Sequence, residues 1–446
     1  MSTLSSYRSE ARTSFLLAYP VMISMLGQVM TGVADSIMIG WTGAVPLAAS
    51  SLANVFFSVL LFFGVGVSYS ITPIVAEASG AGDERSIIEA LRHGLLINVV
   101  VGIILMALVF GGQGALRHIG QPADVVELAI PYLLIITLSI FPTMVFQSFR
   151  QFAEGLHRTR MAMVIMITSN LLNVGLNYVL IYGIWIFPEL GLNGAGWATL
   201  IARVVMAAWM AAYVYYSRWF VAFRDGFRLG SYSKALINRM LHIGIPAGAQ
   251  FIFEAAAFGF SAVMMGWLGA NTLAAHQIAI NLATVSYMTT SGLGAAATIR
   301  VGTFLGQRDG VAVRRAGFTL IGLAVGVMLL WAVAFIVGKN FLPSLYINDD
   351  AVLSIAAPLM VIAGFFQLSD GMQVVCAGAL RGLQDVKVPS LLIFVAYWVL
   401  ALPIGYLLAF PLGYGAIGIW LGLLLGLTLT AGAMVWRFNR LSQWPL

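Results

Sequence analysis

Twelve stretches of the chain are apolar over about the length that a bilayer core demands. Their approximate limits are 14–41, 47–79, 92–111, 125–149, 161–187, 191–217, 238–268, 273–304, 314–337, 351–379, 388–411 and 413–436. Runs of this length predict spanning helices. Several runs exceed the minimum, so tilt or extension beyond the lipid is expected. The first run continues to Trp41, too long for a cleaved signal, and reads as the first spanning helix. Short turns bearing Gly and Asn, such as 42–46 and 188–194, join neighbouring runs. The most polar and basic connector is 218–237, RWFVAFRDGFRLGSYSKALI.

The pattern also repeats. Residues 40–49 read GWTGAVPLAA and residues 266–275 read GWLGANTLAA, with seven of ten positions identical at a constant offset of 226. The same offset pairs Pro20 with Pro246, Gly80 with Gly306 and Asp83 with Asp309. Gly155-Leu156 answers Gly382-Leu383, and Gly191 and Gly196 answer Gly413 and Gly418. Two copies of six helices have the same orientation, because six is even. The expected fold is therefore an all-α membrane protein, with twelve transmembrane helices in two parallel-repeat six-helix bundles, residues 1–225 and 226–446. A cleft between such bundles is the expected place for a substrate. Pro20, Pro246, Pro142 and Pro389, with nearby glycines, are the candidate bends.

Composition and charge sharpen this picture. Apolar residues are 60% of the chain and charged residues 9%, against roughly 25% charged in a soluble domain. The one cysteine, Cys376, excludes an internal disulfide. With the N-terminus placed in the cytoplasm, twenty Lys and Arg fall on the inner side, and only Arg117 and Lys339 on the outer. The bias predicts a multi-pass protein with both termini cytoplasmic. It also accounts for the basic balance without any nucleic acid. No Zn-type Cys/His spacing and no nucleophile–base constellation is present, so no enzyme and no cofactor is expected.

Three carboxylates lie inside the apolar runs: Asp35 in the first, Glu254 in the seventh and Asp370 in the tenth. A charged group at mid-bilayer costs roughly 2.5–3.5 kcal/mol even on the lenient insertion scale, so such groups read as functional or interior. At about 1.5 Å per residue, Glu254 is roughly 20 Å from Trp267 and Asp370 roughly 16 Å from Arg381. Both are near the midplane and in the second copy, where they can share one cation. Asp35 is in the first copy, roughly 9 Å from Trp41. The repeat aligns Asp35 with Ser261 and Glu254 with Gln28, so the copies differ at their ionisable positions and suggest two different sites. The bland alternative is that these acids only bridge helices.

Asn170, Asn173 and Asn177 share one face of the fifth run, and Gln28 and Thr31 share the face of Asp35. They are candidates for a network around Asp35; polar glue between helices fits the same spacing. Arg203, inside the sixth run, has three open readings: snorkelling, pairing with an acid of its copy, or meeting an anion. His276 reads as a turn residue.

The stretch EAAAFGFSAVMMGWLGANTLAAHQIA (254–279) resembles the seventh helix and following turn of the multidrug and toxic compound extrusion (MATE) family, NorM type. SDGMQVVCAGALRGLQDVKVP (369–389) resembles its tenth helix, and Pro20 through Asp35 to the GWTGA turn its first. The resemblance covers essentially the whole chain. Glu254 is its most specific mark, since the DinF type lacks that acid. The resemblance implies that Glu254 and Asp370 are cation-binding carboxylates. It also implies that Asp35, with Asn173 and Asn177, is linked to proton or drug. NorM proteins often have a tyrosine four residues before the tenth-helix aspartate; here it is Phe366, which keeps a ring but not the hydroxyl.

The expected function is secondary active export of small amphipathic organic cations in antiport with Na⁺ or H⁺, by alternating access. Two acids in one bundle favour Na⁺ at Glu254 and Asp370. The expected setting is the lipid bilayer of a bacterial cytoplasmic (inner) membrane, as a monomer. A lipid-linked precursor flippase of the same superfamily is the alternative, and the shortage of intramembrane Lys and Arg counts against it.

Overall fold

The computed structural model describes residues 3–118, 120–184, 187–228 and 230–443. Within lipid every backbone N–H and C=O needs an internal partner, so the apolar runs fold as helices. They are α1 (Thr3–Gly40), α2 (Ala44–Ala81), α3 (Glu84–His118), α4 (Ala123–Gly155), α5 (Thr159–Tyr182) and α6 (Gly191–Tyr216). Then follow α7 (Lys234–Trp267), α8 (Ala270–Gly306), α9 (Gly310–Val337), α10 (Asp350–Gly382), α11 (Lys387–Ala409) and α12 (Gly415–Leu441). Among the described residues, eleven of these are long and apolar enough to cross a membrane. The other is α8, which has 37 residues and the length to span. Its apolar pattern is diluted by serines and threonines such as Ser286, Thr290 and Thr298, which are buried against neighbouring helices rather than turned to lipid.

Local breaks have identifiable causes. Pro20 and Pro246 sit inside α1 and α7. α4 breaks at Ser139, and Pro142 lies in the first turn of its second part, Ile140–Gly155. Pro389 lies in the first turn of α11, where a missing N–H costs nothing, so it starts a helix and is not a bend. α11 carries a π-helical segment, Val395–Ala401.

By packing, the helices form two compact units: Ile23–Gly248, and Met1–Met22 with Ala249–Leu446. α1 and α7 each contribute a part to both. This division follows packing, whereas a boundary at 225 follows the repeat. The connector 218–237 is not a free linker. Its 3-10 turn Arg218–Phe227 stacks Phe227 on Phe149 with ring centroids 5.1 Å apart.

The repeat is visible in backbone geometry. Gly43 and Gly269 precede α2 and α8 with φ of 134° and 122°, a conformation closed to L side chains. Asp83 and Asp309 cap α3 and α9, accepting from Ser86 N at 3.0 Å and Ala312 N at 2.9 Å. The Ser86 hydroxyl and amide hold the exposed Asp83 carboxyl below its ordinary pKa. Thr72 donates to Gln151 O at 3.1 Å, and its counterpart Thr298 donates to Gly378 O at 2.8 Å. A Cβ at Gly155 would stand 2.8 Å from Val75, and one at Gly382 2.8 Å from Val301. Each unit thus holds the same small-residue crossing tied by the same threonine.

Candidate functional site

Two polar sites occur, one in each unit. In the unit containing Ala249–Leu446, the unwelcome cost of a carboxylate in lipid is met by neighbours from three helices. Gln373 on α10 donates from Nε2 to Glu254 Oε1 on α7 at 3.1 Å. Tyr397 on α11 donates its hydroxyl to Gln373 Oε1 at 3.3 Å. Asp370, one turn before Gln373, is buried, and its Oδ2 has no hydrogen-bond partner. Asp370 and Glu254 are close enough to feel each other's charge, and Tyr397 feels both. Gln367, one turn earlier on α10, is fully buried with both side-chain polar atoms unpartnered. Buried polar groups without partners are uncommon and require an explanation such as an ion or water.

Aromatic rings wall this site. Phe366 is buried, with its ring 6.2 Å from Phe258 and 5.9 Å from Trp420. Trp420 donates from Nε1 to His276 Nδ1 at 3.1 Å. His276 is therefore not a turn residue: it lies inside α8, buried against the Trp420 indole. Trp398 ties α11 to α7 by donating to Phe253 O at 3.0 Å.

In the unit Ile23–Gly248, half-buried Asp35 accepts from Asn177 Nδ2 at 2.5 Å. Asn177 also donates to Asn173 Oδ1 at 3.4 Å, and Asn173 donates to Thr199 at 3.3 Å. Asn177 thus meets Asp35 directly and Asn173 joins through Asn177, while Asn170, whose Nδ2 is buried without a partner, stays outside the network. Arg203 is half-buried on α6, within electrostatic reach of Asp35. It donates to Ser139 Oγ at 2.8 Å, at the break in α4, and stands 5.1 Å over the Phe57 ring. Of the three readings of Arg203, pairing with the acid of its own unit is not realised as an ion pair: its hydrogen bond goes to Ser139 and its charge acts on Asp35 from further away. Tyr132 also lies within electrostatic reach of both Asp35 and Arg203.

Other expected members do not join. Thr31 turns back onto its own helix, donating to Gly27 O at 2.9 Å, and Gln28 is exposed. Neither hydrogen-bonds Asp35. Ser261, the counterpart of Asp35, bonds its own Phe258 O at 2.7 Å. The two copies therefore differ in chemistry as well as in sequence at these positions.

Sequence reasoning missed Gln373, Tyr397 and Gln367. It also missed the ion pairs, two of which bury their acids. Arg150 and Glu154, in the last turns of α4, form a pair at 2.7 Å with each side chain only 3% exposed. Arg300 holds Glu10 with bonds of 2.7 and 2.6 Å. Spacing of four flags the first pair; nothing local flags the second. No cluster of three or more His, Cys, Asp or Glu that could hold a metal occurs among the described residues. A cation bound here would rest on two carboxylates and neutral oxygens.

Spanning helices, duplicated geometry and intramembrane acids define a multi-pass transporter rather than an enzyme. The model of the MatE family matches the chain twice, at residues 20–179 and 246–407, starting from the paired prolines Pro20 and Pro246. The chain belongs to the MATE family, NorM type. The probable multidrug resistance protein NorM of Rhizobium meliloti (strain 1021) is 35% identical over 443 residues, covering 98% of this chain and 95% of that one. The multidrug resistance protein NorM of Photobacterium profundum is 34% identical, covering 97% and 96%. An outward-facing structure of a multidrug resistance MATE family transporter has a TM-score of 0.90 at 20% identity, covering 97% and 96%, and so shares the fold.

Proposed function

We propose that this chain is a secondary active multidrug exporter that moves amphipathic organic cations out of a bacterial cell in antiport with Na⁺. Its two six-helix repeats, 1–225 and 226–446, work by alternating access, with both termini cytoplasmic and the monomer as the working unit. The observation that carries the reading is the pair Glu254 and Asp370, held in one unit with the buried Asp370 Oδ2 unpartnered. A site of this kind binds a small cation, and a cationic drug competes for the same charge. Linkage then couples the two ligands, because each lowers the affinity for the other. The membrane potential adds about 2.3 kcal/mol per charge per 100 mV. Asp35, with Asn173 and Asn177, forms a second, proton- or drug-linked site in the other unit. The names of the NorM relatives support a drug substrate.

The test is efflux of a fluorescent organic cation from proteoliposomes, with Na⁺ and pH gradients imposed separately. A Na⁺ gradient is expected to drive efflux in wild type, and Glu254→Gln and Asp370→Asn to abolish it while still inserting. Transport driven by a pH gradient alone would move the coupling ion to H⁺. Undiminished transport by both variants would remove the pair from the mechanism.

A further inference from the structure

We infer that Tyr397 supplies the neutral hydroxyl oxygen of the coupling-cation site, held in place by Gln373 and by the π-helical segment of α11. The inference rests on the reading of Glu254 and Asp370 as the cation-binding pair, and deepens it. A hard cation takes oxygen ligands, and two carboxylates alone do not fill its shell. Phe366, one turn before Asp370, is packed between Phe258 and Trp420 and offers no oxygen. The tyrosine that does reach these acids comes from another helix.

Four observations place it. Tyr397 is fully buried, yet it lies within electrostatic reach of both Glu254 and Asp370. Its hydroxyl has one proton, given to Gln373 Oε1 at 3.3 Å. Gln373 in turn gives an amide proton to Glu254 Oε1 at 3.1 Å. The phenol's lone pairs are therefore left unused beside the Gln373 amide that holds Glu254, and Asp370, one turn from Gln373, keeps an unpartnered oxygen. Lone pairs and carboxylate oxygens repel unless a cation lies among them. The backbone is also adapted to this placement. Tyr397 lies in the π-helical segment Val395–Ala401, and such segments recur at functional sites because they re-aim side chains. The adjacent Trp398 pins the segment to Phe253 O, one residue before Glu254.

The test uses the purified full-length protein in detergent, with equilibrium binding of radioactive sodium and, separately, of a fluorescent organic cation without sodium. Tyr397→Phe is expected to weaken sodium binding about tenfold, the scale of one bond to a charged group. Drug affinity without sodium should fall by much less, because an organic cation takes no hydroxyl ligand. Adding Phe366→Tyr to Tyr397→Phe should recover part of the sodium affinity, by returning a hydroxyl from α10. Wild-type sodium affinity in Tyr397→Phe, with loss in Glu254→Gln, would overturn the role of Tyr397 and leave the carboxylate pair standing. Equal loss of sodium and drug affinity in Tyr397→Phe would mark a packing role and overturn it too. Sodium binding unchanged in Glu254→Gln would remove the underlying reading itself.

Discussion

Replacing Asp35 by Asn keeps the shape of the site and removes its charge. The Asn177 amide donates to Asp35 at 2.5 Å, and Arg203 is the nearby cation. A hydrogen bond to a charged group is worth about 1.5–3 kcal/mol, and one between neutral groups about 0.5–1.5. The exchange therefore costs about 1–1.5 kcal/mol at this bond. Arg203 keeps Ser139 but loses its counter-charge, which adds a cost that Arg203→Leu removes. The double variant should then be more stable than the sum of the singles predicts. For a cationic drug, losing an attraction of that size lowers affinity about tenfold, since about 1.4 kcal/mol is one decade. The pH dependence has a definite sign. As pH falls, Asp35 takes a proton, the site loses its negative charge, and drug binding weakens. Asp35→Asn should match the protonated form, with low affinity and a flat profile. The assay is equilibrium binding of a fluorescent organic cation measured across pH on wild type and Asp35→Asn. A flat wild-type profile together with normal export by Asp35→Asn would refute the reasoning and leave Asp35 as a bridge between helices.

Other predictions follow from single contacts. Glu154→Gln leaves the 3%-exposed Arg150 without its counter-charge, and should lower stability by about 3–5 kcal/mol, read as earlier unfolding in detergent. Gly382→Ala places a methyl 2.8 Å from Val301 and 2.9 Å from Thr298 O, and should cost about 1–3 kcal/mol in the same assay, as should Gly155→Ala at the matching crossing. Asp83 caps α3 with its carboxyl held below the ordinary value of 3.8. That stabilisation is present above this pH and fades as pH falls through the lowered folded value. The exchange protection factor of the Ser86 amide, taken relative to the unstructured rate at each pH, should fall at acid pH in wild type and be low at all pH values in Asp83→Ala.

Hydropathy made the helices legible because an intramembrane backbone has no other way to satisfy itself. The GW-x-GA turns made the duplication legible, and the structure gives the reason the glycines were kept: Gly43 and Gly269 hold φ of 134° and 122°. Counting rise per residue placed Glu254 and Asp370 at similar depth, and a spacing of four joined Asn173 to Asn177. Contacts between distant segments were not legible. Arg203 reaches Ser139 across α6 and α4, and Glu10 meets Arg300 across α1 and α8. Tyr397 escaped because a π-helical segment breaks the 3.6-residue period from which its direction would be read. Thr31 shows the reverse error: a shared face does not make a shared network when the hydroxyl can return to its own helix.

The central claim is that Glu254 and Asp370 hold either the coupling cation or the drug. Its most direct test is the dissociation constant of a cationic drug for the purified protein, measured across sodium concentration at fixed ionic strength. In wild type the constant should rise in step with sodium once sodium exceeds its own dissociation constant, while Glu254→Gln and Asp370→Asn should bind weakly with no sodium dependence. A wild-type drug affinity that does not change with sodium would contradict the account.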